Sequence, residues 1–138
     1  MSKAASYFTA DFDRFEVKHH FVSRLEWIDS DSGDKKNVRV YNGAAWRWSN
    51  VATNLGLGPG EIESIRRNHF SDDERVTDVF RHWFDNANNL PNKKIYPKKW
   101  SGLIRLLSDS ELGQLSEEVK TALSATTSNV RANLPYVQ

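Results

Sequence analysis

The residues best suited to chemistry in this chain of 138 residues are four histidines and a scatter of carboxylates. The histidines are His19, His20, His69 and His82, and none of them shares a helix face with a second ligand at a spacing typical of metal sites. His82 and Asp85 lie three residues apart, but a single pair of this kind is more typical of a solvated helix surface. The sequence contains no cysteine, which excludes disulfides, thiol catalysis and cysteine-ligated metal sites. We therefore expect no metal and no other cofactor.

Two further patterns resemble catalytic sites but lack what such sites need. Residues 56–60 read Gly-Leu-Gly-Pro-Gly, yet a predicted helix precedes them and the proline removes a backbone N–H, so we expect no phosphate-binding loop. Adjacent carboxylates, such as Asp72 with Asp73, lie at exposed positions where nothing in the sequence builds a desolvated pocket to separate their pKa values. The sequence therefore favours a protein that is not an enzyme and has no small-molecule substrate.

The spacing of apolar residues between positions 38 and 124 predicts helices that would carry these side chains. Predicted helices cover about residues 48–55, 59–65, 76–84, 100–107 and 112–123, with a short turn at residues 70–75 as a sixth. Ser71 with Glu74 fits a capping box before the third of these helices, and Ser108 with Glu111 fits one before the last, where Ser110 is an alternative cap. Short connections between amphipathic helices predict an all-α, antiparallel bundle of six helices.

Two flanking segments differ from this region in composition. Residues 1–37 are predicted to be an N-terminal extension. We expect an added helix packed on the bundle, with Phe8, Phe12, Phe15, Val22 and Leu25 partly on one face, and the alternative is a remnant of a larger protein. A turn or linker is predicted at residues 30–36, which are rich in Ser, Asp, Gly and Lys. Residues 125–138 are small and polar, which predicts a flexible C-terminal tail.

Five segments together resemble a known family. They are residues 48–57 (Trp-x-x-Val-Ala-x-x-Leu-Gly-Leu), 61–65 (Glu-Ile-x-x-Ile), 79–83 (Val-Phe-Arg-His-Trp), 100–107 (Trp-Ser-Gly-Leu-Ile-x-x-Leu) and 112–119 (Leu-Gly-x-Leu-x-x-x-Val). In this order and at these separations, they resemble the death domain over about residues 38–124. The third helix of the family is weakly marked, and residues 1–37 lie outside the resemblance.

The resemblance implies a six-helix bundle with Greek-key connectivity, no catalysis and no cofactor. Death domains assemble signalling complexes, in apoptosis or innate immunity, by binding one another through asymmetric contacts. The partners implied are other death-domain proteins, including further copies of this chain, in the cytoplasm. The resemblance implies no membrane contact by this segment.

The net charge of the chain is only +1, but its charges are strongly segregated along the sequence. Residues 71–90 have a net charge of −3, residues 91–108 of +5 and residues 109–124 of −3. Acidic residues are favoured in the first turn of a helix, and this preference accounts for the positions of several carboxylates. They do not account for four lysines gathered around one loop, which favours a binding surface chosen by charge complementarity.

Two candidate surfaces follow from this charge pattern. One death-domain contact joins the loop after the fourth helix to the connection between the fifth and sixth, which here would set basic residues of one copy against acidic residues of the next. The residues are Lys93, Lys94, Lys98, Lys99 and Arg105 on one side, and Asp109 and Glu111 on the other. The family also uses its second and third helices, which here carry Glu61, Glu63, Arg66, Arg67, Asp72, Asp73 and Arg75. Local ion pairs within a helix, such as Glu63 with Arg67, account for the charges of this second set as well as partner binding does.

The spacing of the five tryptophans predicts a place in the core for three of them. Trp48, Trp83 and Trp100 are predicted in the core, whereas Trp27 and Trp46 are ambiguous, and an exposed one could anchor a partner.

Two functions other than death-domain assembly remain open. A nucleic-acid-binding module is one alternative, since residues 55–67 loosely resemble a helix-turn-helix, but the low net charge opposes it. A structural domain of a larger protein is the other. The absence of a signal-peptide pattern or a long apolar run favours a soluble, intracellular chain.

Overall fold

A computed structural model of the chain describes residue 17 and residues 19–29, 31–86 and 89–129. This part of the chain is mostly helical and includes one small two-stranded sheet. The elements are α1 His19–Ser23, β1 Leu25–Ile28, β2 Lys35–Val38, α2 Val40–Ala44, a 3-10 turn Ala45–Arg47, α3 Trp48–Leu55, α4 Pro59–Asn68, α5 Asp72–Asn86, α6 Trp100–Asp109 and α7 Gly113–Asn129. The mostly helical character predicted from the sequence is confirmed.

The helices pack around one core in which aromatic rings occupy the centre. Tyr41 of α2 stacks on Phe80 of α5, with ring centroids 4.7 Å apart and an angle of 13° between the ring planes. Trp83 meets Phe80 edge-on at 6.1 Å. Trp83 and Trp100 are each 1% exposed and Trp48 is 5% exposed, so their predicted place in the core is confirmed. Each ring of this size buries about 150–250 Å² of surface, which makes this cluster a main source of stability.

The helix ends predicted around α3 and α5 are largely confirmed. Gly56 ends α3 with a φ of 95°, a left-handed conformation that glycine adopts without a steric penalty. Before α5, Glu74 N donates to Ser71 Oγ over 3.2 Å, as the capping box requires. The Glu74 carboxylate accepts its hydrogen bond from Phe70 N at 3.0 Å, one residue before the predicted donor.

The turn predicted at residues 70–75, counted as a sixth helical element, is shorter than expected and is not a separate helix. Phe70 and Ser71 form a bend, and Asp72 is already the first residue of α5. The reason is the cap itself: since Ser71 satisfies the N–H of Glu74, it starts α5 several residues before its apolar face begins.

The capping box predicted for the last helix is wrong. Ser108 lies inside α6, and Glu111 follows the end of that helix with a φ of 66°. Leu112 N donates to Leu107 O over 3.0 Å, and Glu111 N donates to Ser108 O over 3.3 Å. This pair of bonds is the Schellman arrangement that ends a helix, so Glu111 occupies the position that glycine usually takes.

A β-hairpin stands where the added N-terminal helix was expected to continue. Leu25–Ile28 pairs antiparallel with Lys35–Val38, and Leu25 lies opposite Val38 with both side chains buried. The predicted turn is present: Gly33, with a φ of 75°, donates its N–H to Asp29 O over 2.7 Å. Strands of four residues with so few apolar positions give no clear alternation, which is why the helical interpretation was wrong at Leu25.

The flanks of the bundle join its core more closely than the sequence indicates. Leu25 and Val38 belong to the same buried cluster as Val119 and Leu123 of α7. Helix α7 continues to Asn129, past the predicted start of the tail. The predicted helix positions at Phe8, Phe12 and Phe15, and the tail beyond residue 129, lie outside the described residues.

Candidate protein-interaction surface

The loop between α5 and α6, residues 89–99 and here called the basic loop, is held in place by side-chain hydrogen bonds to several elements. Trp83 Nε1 donates to Tyr96 O over 3.0 Å from within the core. Asn92 Nδ2 donates to Asn54 O over 2.6 Å, which ties the loop to the end of α3. The Tyr96 hydroxyl donates to Asp109 Oδ2 over 2.7 Å, which ties it to the end of α6. A loop without strand or long helix is therefore fixed at several points.

A glycine in α6 allows the basic loop to pack closely. A Cβ atom at Gly102 would lie 1.9 Å from the backbone oxygen of Pro97, a distance that no side chain can accommodate. Gly102 is buried, so the loop backbone takes the space where a side chain would stand. The Trp-Ser-Gly pattern at the start of α6 thus positions the lysines that precede it.

The four lysines of the basic loop fall into two groups. Lys93, Lys94 and Lys99 are exposed. Lys98 is half-buried, and its Nζ donates to Phe84 O over 2.6 Å near the end of α5. A cation that binds a carbonyl in the last turn of a helix satisfies the helix end and its dipole. Lys98 therefore has a structural role within its own chain, and sequence spacing alone did not reveal that role.

Arg105 and Asp109 lie on the exposed side of α6, close to the basic loop. Arg105 Nε is 3.7 Å from Asp109 Oδ2, the oxygen that also accepts from the Tyr96 hydroxyl. Burial, followed by the hydrogen bond to Asp109, raises the pKa of Tyr96 to about 12. Asp109 remains 43% exposed, so it is still accessible to a partner.

Glu111 is linked to one of the two tryptophans that the sequence left ambiguous. Arg47 Nη2 lies 3.0 Å from Glu111 Oε1, and the Arg47 guanidinium lies 4.3 Å from the centre of the Trp46 ring. Trp46 is 64% exposed, whereas Trp27 is partly buried and packs against the core. Trp46 is thus the exposed tryptophan, next to one of the predicted acidic residues.

The basic and acidic sets predicted to meet between copies also adjoin within one copy. Tyr96, two residues after Lys94, reaches Asp109 by a direct hydrogen bond. The segregation of charge along the sequence therefore becomes a border between a basic and an acidic area in space. Two copies could set the basic area of one against the acidic area of the other, either in a head-to-tail contact or in a two-fold contact.

The second candidate surface, here called the α4–α5 surface, consists of residues whose charges are largely paired locally. Glu63 carboxylate oxygens lie 3.4 Å from Arg66 Nε and 3.9 Å from Arg67 Nε. Glu61 Oε1 accepts from Gly58 N over 3.1 Å and so caps the start of α4. The pairing of Glu63 with Arg67 expected from helical spacing is confirmed.

Arg75 is the residue that joins the two helices of the α4–α5 surface. Its Nη1 lies 3.0 Å from Asp72 Oδ1, and its Nη2 donates to Arg66 O over 3.2 Å and to His69 O over 2.9 Å. Arg66 and Arg75 also lie over the Trp48 ring at 5.2 Å and 5.9 Å. Asp73 is exposed in the first turn of α5, where a carboxylate suits the helix dipole.

A histidine–carboxylate cluster was missed at the sequence level. His69 Nε2 lies 2.9 Å from Asp78 Oδ2, and His82 Nε2 lies 4.0 Å from Asp78 Oδ1. Sequence reasoning paired His82 with Asp85 instead. The i, i+4 spacing from Asp78 to His82 was the available signal, whereas the contact of His69 depends on the bend between α4 and α5.

The described residues show neither a metal-binding cluster nor a membrane-spanning helix. Within residues 17, 19–29, 31–86 and 89–129, no group of three or more His, Asp and Glu side chains is arranged to hold a metal ion. In the same part of the chain, every helix is too short or too polar to cross a lipid bilayer.

Comparison with models of protein families, with curated proteins and with solved structures found no significant match to this chain.

Proposed function

We propose that this chain is a non-catalytic protein-interaction module that assembles signalling complexes through contacts between domains of the death-domain type. The proposal includes the six-helix Greek-key arrangement and a cytoplasmic location that the resemblance implies. The positions of α3 to α7 and the buried Trp48, Trp83 and Trp100 support it, because these are the elements and core residues on which the resemblance rests.

The observation that carries the proposal is the basic loop. Lys93, Lys94 and Lys99 are exposed on a backbone that Trp83 and Asn92 hold in place. No acidic residue occurs between positions 91 and 108. A rigid loop loses little conformational entropy when a partner binds, and charges of one sign select a partner of the opposite sign.

The acidic side of the contact is Asp109 and Glu111 of a neighbouring copy. Both side chains are exposed, although each already has one basic neighbour in its own copy. A head-to-tail contact would let assemblies grow, whereas a two-fold contact would stop at the dimer. The two geometries therefore differ in the molar mass reached at high protein concentration.

The test is light scattering over a concentration series at about 50 mM and about 500 mM salt, where the screening lengths differ about threefold. We expect the mass of the wild-type protein to rise with concentration and to fall at high salt. The double variant Lys94→Glu, Lys99→Glu should remain folded and lose at least about tenfold in association at low salt.

A matched control is the double variant Lys35→Glu, Lys36→Glu on the hairpin, which makes the same change in net charge at two exposed lysines. It should associate more tightly than the Lys94 and Lys99 variant. Equal association of the two variants, or wild-type protein that stays monomeric at both salt concentrations, would contradict charge-guided self-assembly.

A further inference from the structure

A cavity with both apolar and acidic walls opens beside the turn between α6 and α7. It has a volume of about 400 Å³ and is here called the Trp46 pocket. Leu112 and Leu115 give it aliphatic walls, Trp46 adds an indole, and Glu111 and Glu118 add carboxylates. The indole and both carboxylates belong to exposed residues, so a molecule in solution can reach them. The volume falls in the range of ligand sites and is ample for one long side chain.

The charges around the Trp46 pocket leave one carboxylate without a partner. Glu111 Oε1 lies 3.0 Å from Arg47 Nη2, and Glu117 Oε2 lies 3.0 Å from Lys120 Nζ. The side chain of Glu118 makes no ion pair or hydrogen bond with any described residue. The pocket therefore carries an unpaired negative charge, and a cation is the group that would pair with it.

The indole of the pocket already attracts a cation from its own chain. The Arg47 guanidinium lies 4.3 Å from the centre of the Trp46 ring, within the distance of a cation–π contact. Trp46 is nevertheless 64% exposed and lines the pocket, whereas Arg47 does not line it. Part of the ring is therefore available to a second cation, and tryptophan is the aromatic residue that binds cations best.

A lysine side chain matches each kind of group in the Trp46 pocket. Its alkyl stem can pack on aliphatic walls such as Leu112 and Leu115 while its ammonium group remains solvated or paired. The ammonium group can then lie against the indole of Trp46 and the carboxylate of Glu118. A wholly apolar side chain would instead remove water from these carboxylates and give them no partner.

The basic loop presents such lysines on the surface of every copy. Lys94 and Lys99 are exposed, and the described residues provide no ion pair or side-chain hydrogen bond for either. Residues 91–108 have a net charge of +5, which exceeds the two negative charges of Asp85 and Asp109 at the borders of this segment. The surroundings of the two lysines are therefore positive, opposite in sign to the pocket.

We propose that the Trp46 pocket of one copy binds a lysine of the basic loop, Lys94 or Lys99, of a second copy. Charge complementarity selects this occupant, because the loop carries only cations and the pocket carries an unpaired carboxylate. The inference rests on the proposed function and identifies the receptor for its basic loop. It adds Glu118 to the acidic side of the contact and makes Trp46 the group that selects a cation.

Two variants each remove one part of this receptor. Trp46→Leu removes the indole, keeps an apolar side chain and should weaken association about threefold to thirtyfold, the effect of one cation–π contact. Glu118→Lys reverses the unpaired charge and should weaken association at least about fivefold at low salt. Matched controls are Phe70→Leu, at an aromatic side chain that is 96% exposed and does not line the pocket, and Glu117→Lys, the same charge change one residue away.

Sedimentation at about 50 mM salt, over a series of protein concentrations, measures association of these variants. We expect a loss for both receptor variants, an unchanged value for Phe70→Leu and a smaller loss for Glu117→Lys. Glu118→Lys is then combined with Lys94→Glu in one chain and with Lys99→Glu in another. One of these combinations should recover association, because the two reversed charges attract again and the coupling identifies the lysine that docks.

A zero-length cross-link locates the contact directly. A carbodiimide joins a lysine amine to a touching carboxylate as an amide, and the water lost in this step converts the carbodiimide to a urea. The reaction is carried out on an equal mixture of unlabelled and isotopically labelled protein. We expect a mixed-isotope peptide pair in which Lys94 or Lys99 of one form is joined to Glu118 of the other.

Failure of this docking and failure of the proposed function give different results. Association that falls with Lys94→Glu, Lys99→Glu but is unchanged by Trp46→Leu and Glu118→Lys would overturn the docking and leave charge-guided assembly standing. Equal losses for Glu118→Lys and Glu117→Lys, or no cross-link between copies at Glu118, would also overturn the docking. Wild-type protein that stays monomeric, or a loss with the receptor variants but not with the lysine variant, would overturn both.

Discussion

The basic loop carries charges of one sign and the α4–α5 surface carries charges of both signs, and the two regions use them differently. On the α4–α5 surface, Glu63 pairs with Arg66, and Arg75 pairs with Asp72, all within one copy. In the basic loop, the described residues provide no ion pair or side-chain hydrogen bond for Lys94 or Lys99. The loop is instead anchored by uncharged side chains such as Trp83 and Asn92.

The difference follows from spacing. Opposite charges three or four residues apart on a helix are neighbours and pair with each other. Lys94 and Lys99 lie in a non-helical loop, and the sequence places no acid three or four residues from either of them. The charges of the α4–α5 surface therefore contribute to the stability of the folded chain, whereas those of Lys94 and Lys99 remain exposed to another molecule.

The largest expected effect concerns the anchor of the basic loop. Trp83→Ala should lower the free energy of unfolding by about 3–5 kcal/mol, because it empties a core site and removes the hydrogen bond to Tyr96 O. Chemical denaturation measures the loss. A loss below about 1 kcal/mol, the size expected of surface changes, would mean that the loop does not depend on the core.

An intermediate effect is expected on the α4–α5 surface. Arg75→Ala should lower the free energy of unfolding by about 1–3 kcal/mol, since two backbone oxygens lose a charged donor, and should leave association unchanged. Arg67→Ala is the control and should change stability by no more than about 0.5 kcal/mol, as its one ion pair is long and exposed. If Arg75→Ala instead reduced association without loss of stability, the distinction between the two surfaces would be wrong.

The smallest effect is a pH dependence at the border of the basic loop. The pKa of Tyr96 is raised to about 12 in the folded protein, against about 10 in an unfolded chain. The folded state therefore retains a proton that the unfolded state releases, so stability is fully present below pH 10 and declines as the pH rises towards 12. Unfolding by urea at several alkaline pH values should show this decline.

Tyr96→Phe is the control variant for this titration. Its free energy of unfolding should fall less steeply as the pH rises, although some fall should remain. Burial also raises the pKa of Tyr41, so a second group contributes in the same direction. An unchanged pH profile in Tyr96→Phe would show that the hydroxyl does not anchor the basic loop to Asp109.

Local sequence patterns predicted the helices well because their signals lie within a few residues. Gly56 after an apolar run marks the end of α3, and Ser71 with Glu74 marks the start of α5. The hairpin could not be predicted in this way, since strands of four residues show too little alternation. At Glu111 the prediction was wrong because an acid three residues after a serine also fits the end of one helix and the turn to the next.

The candidate surface was predicted in part, for a related reason. Clustered lysines and the local pairing of Glu63 with Arg67 could be predicted from spacing alone. The engagement of Lys98 with Phe84 and the bond from Tyr96 to Asp109 join residues 14 and 13 positions apart, through a path set by the fold. The exposure of Phe70 was not predictable, because an aromatic residue before a helix is ordinarily buried by the helix that follows.

The hairpin has a consequence for how copies of this chain can meet. Among the described residues the sheet has two strands, so each strand has one edge with no paired strand, and such an edge can accept a strand from another chain. Strand β2 carries Lys35 and Lys36 at exposed positions, a placement that discourages this kind of addition. At a high local concentration of this chain, these lysines would therefore oppose the growth of a continuous sheet from one molecule to the next.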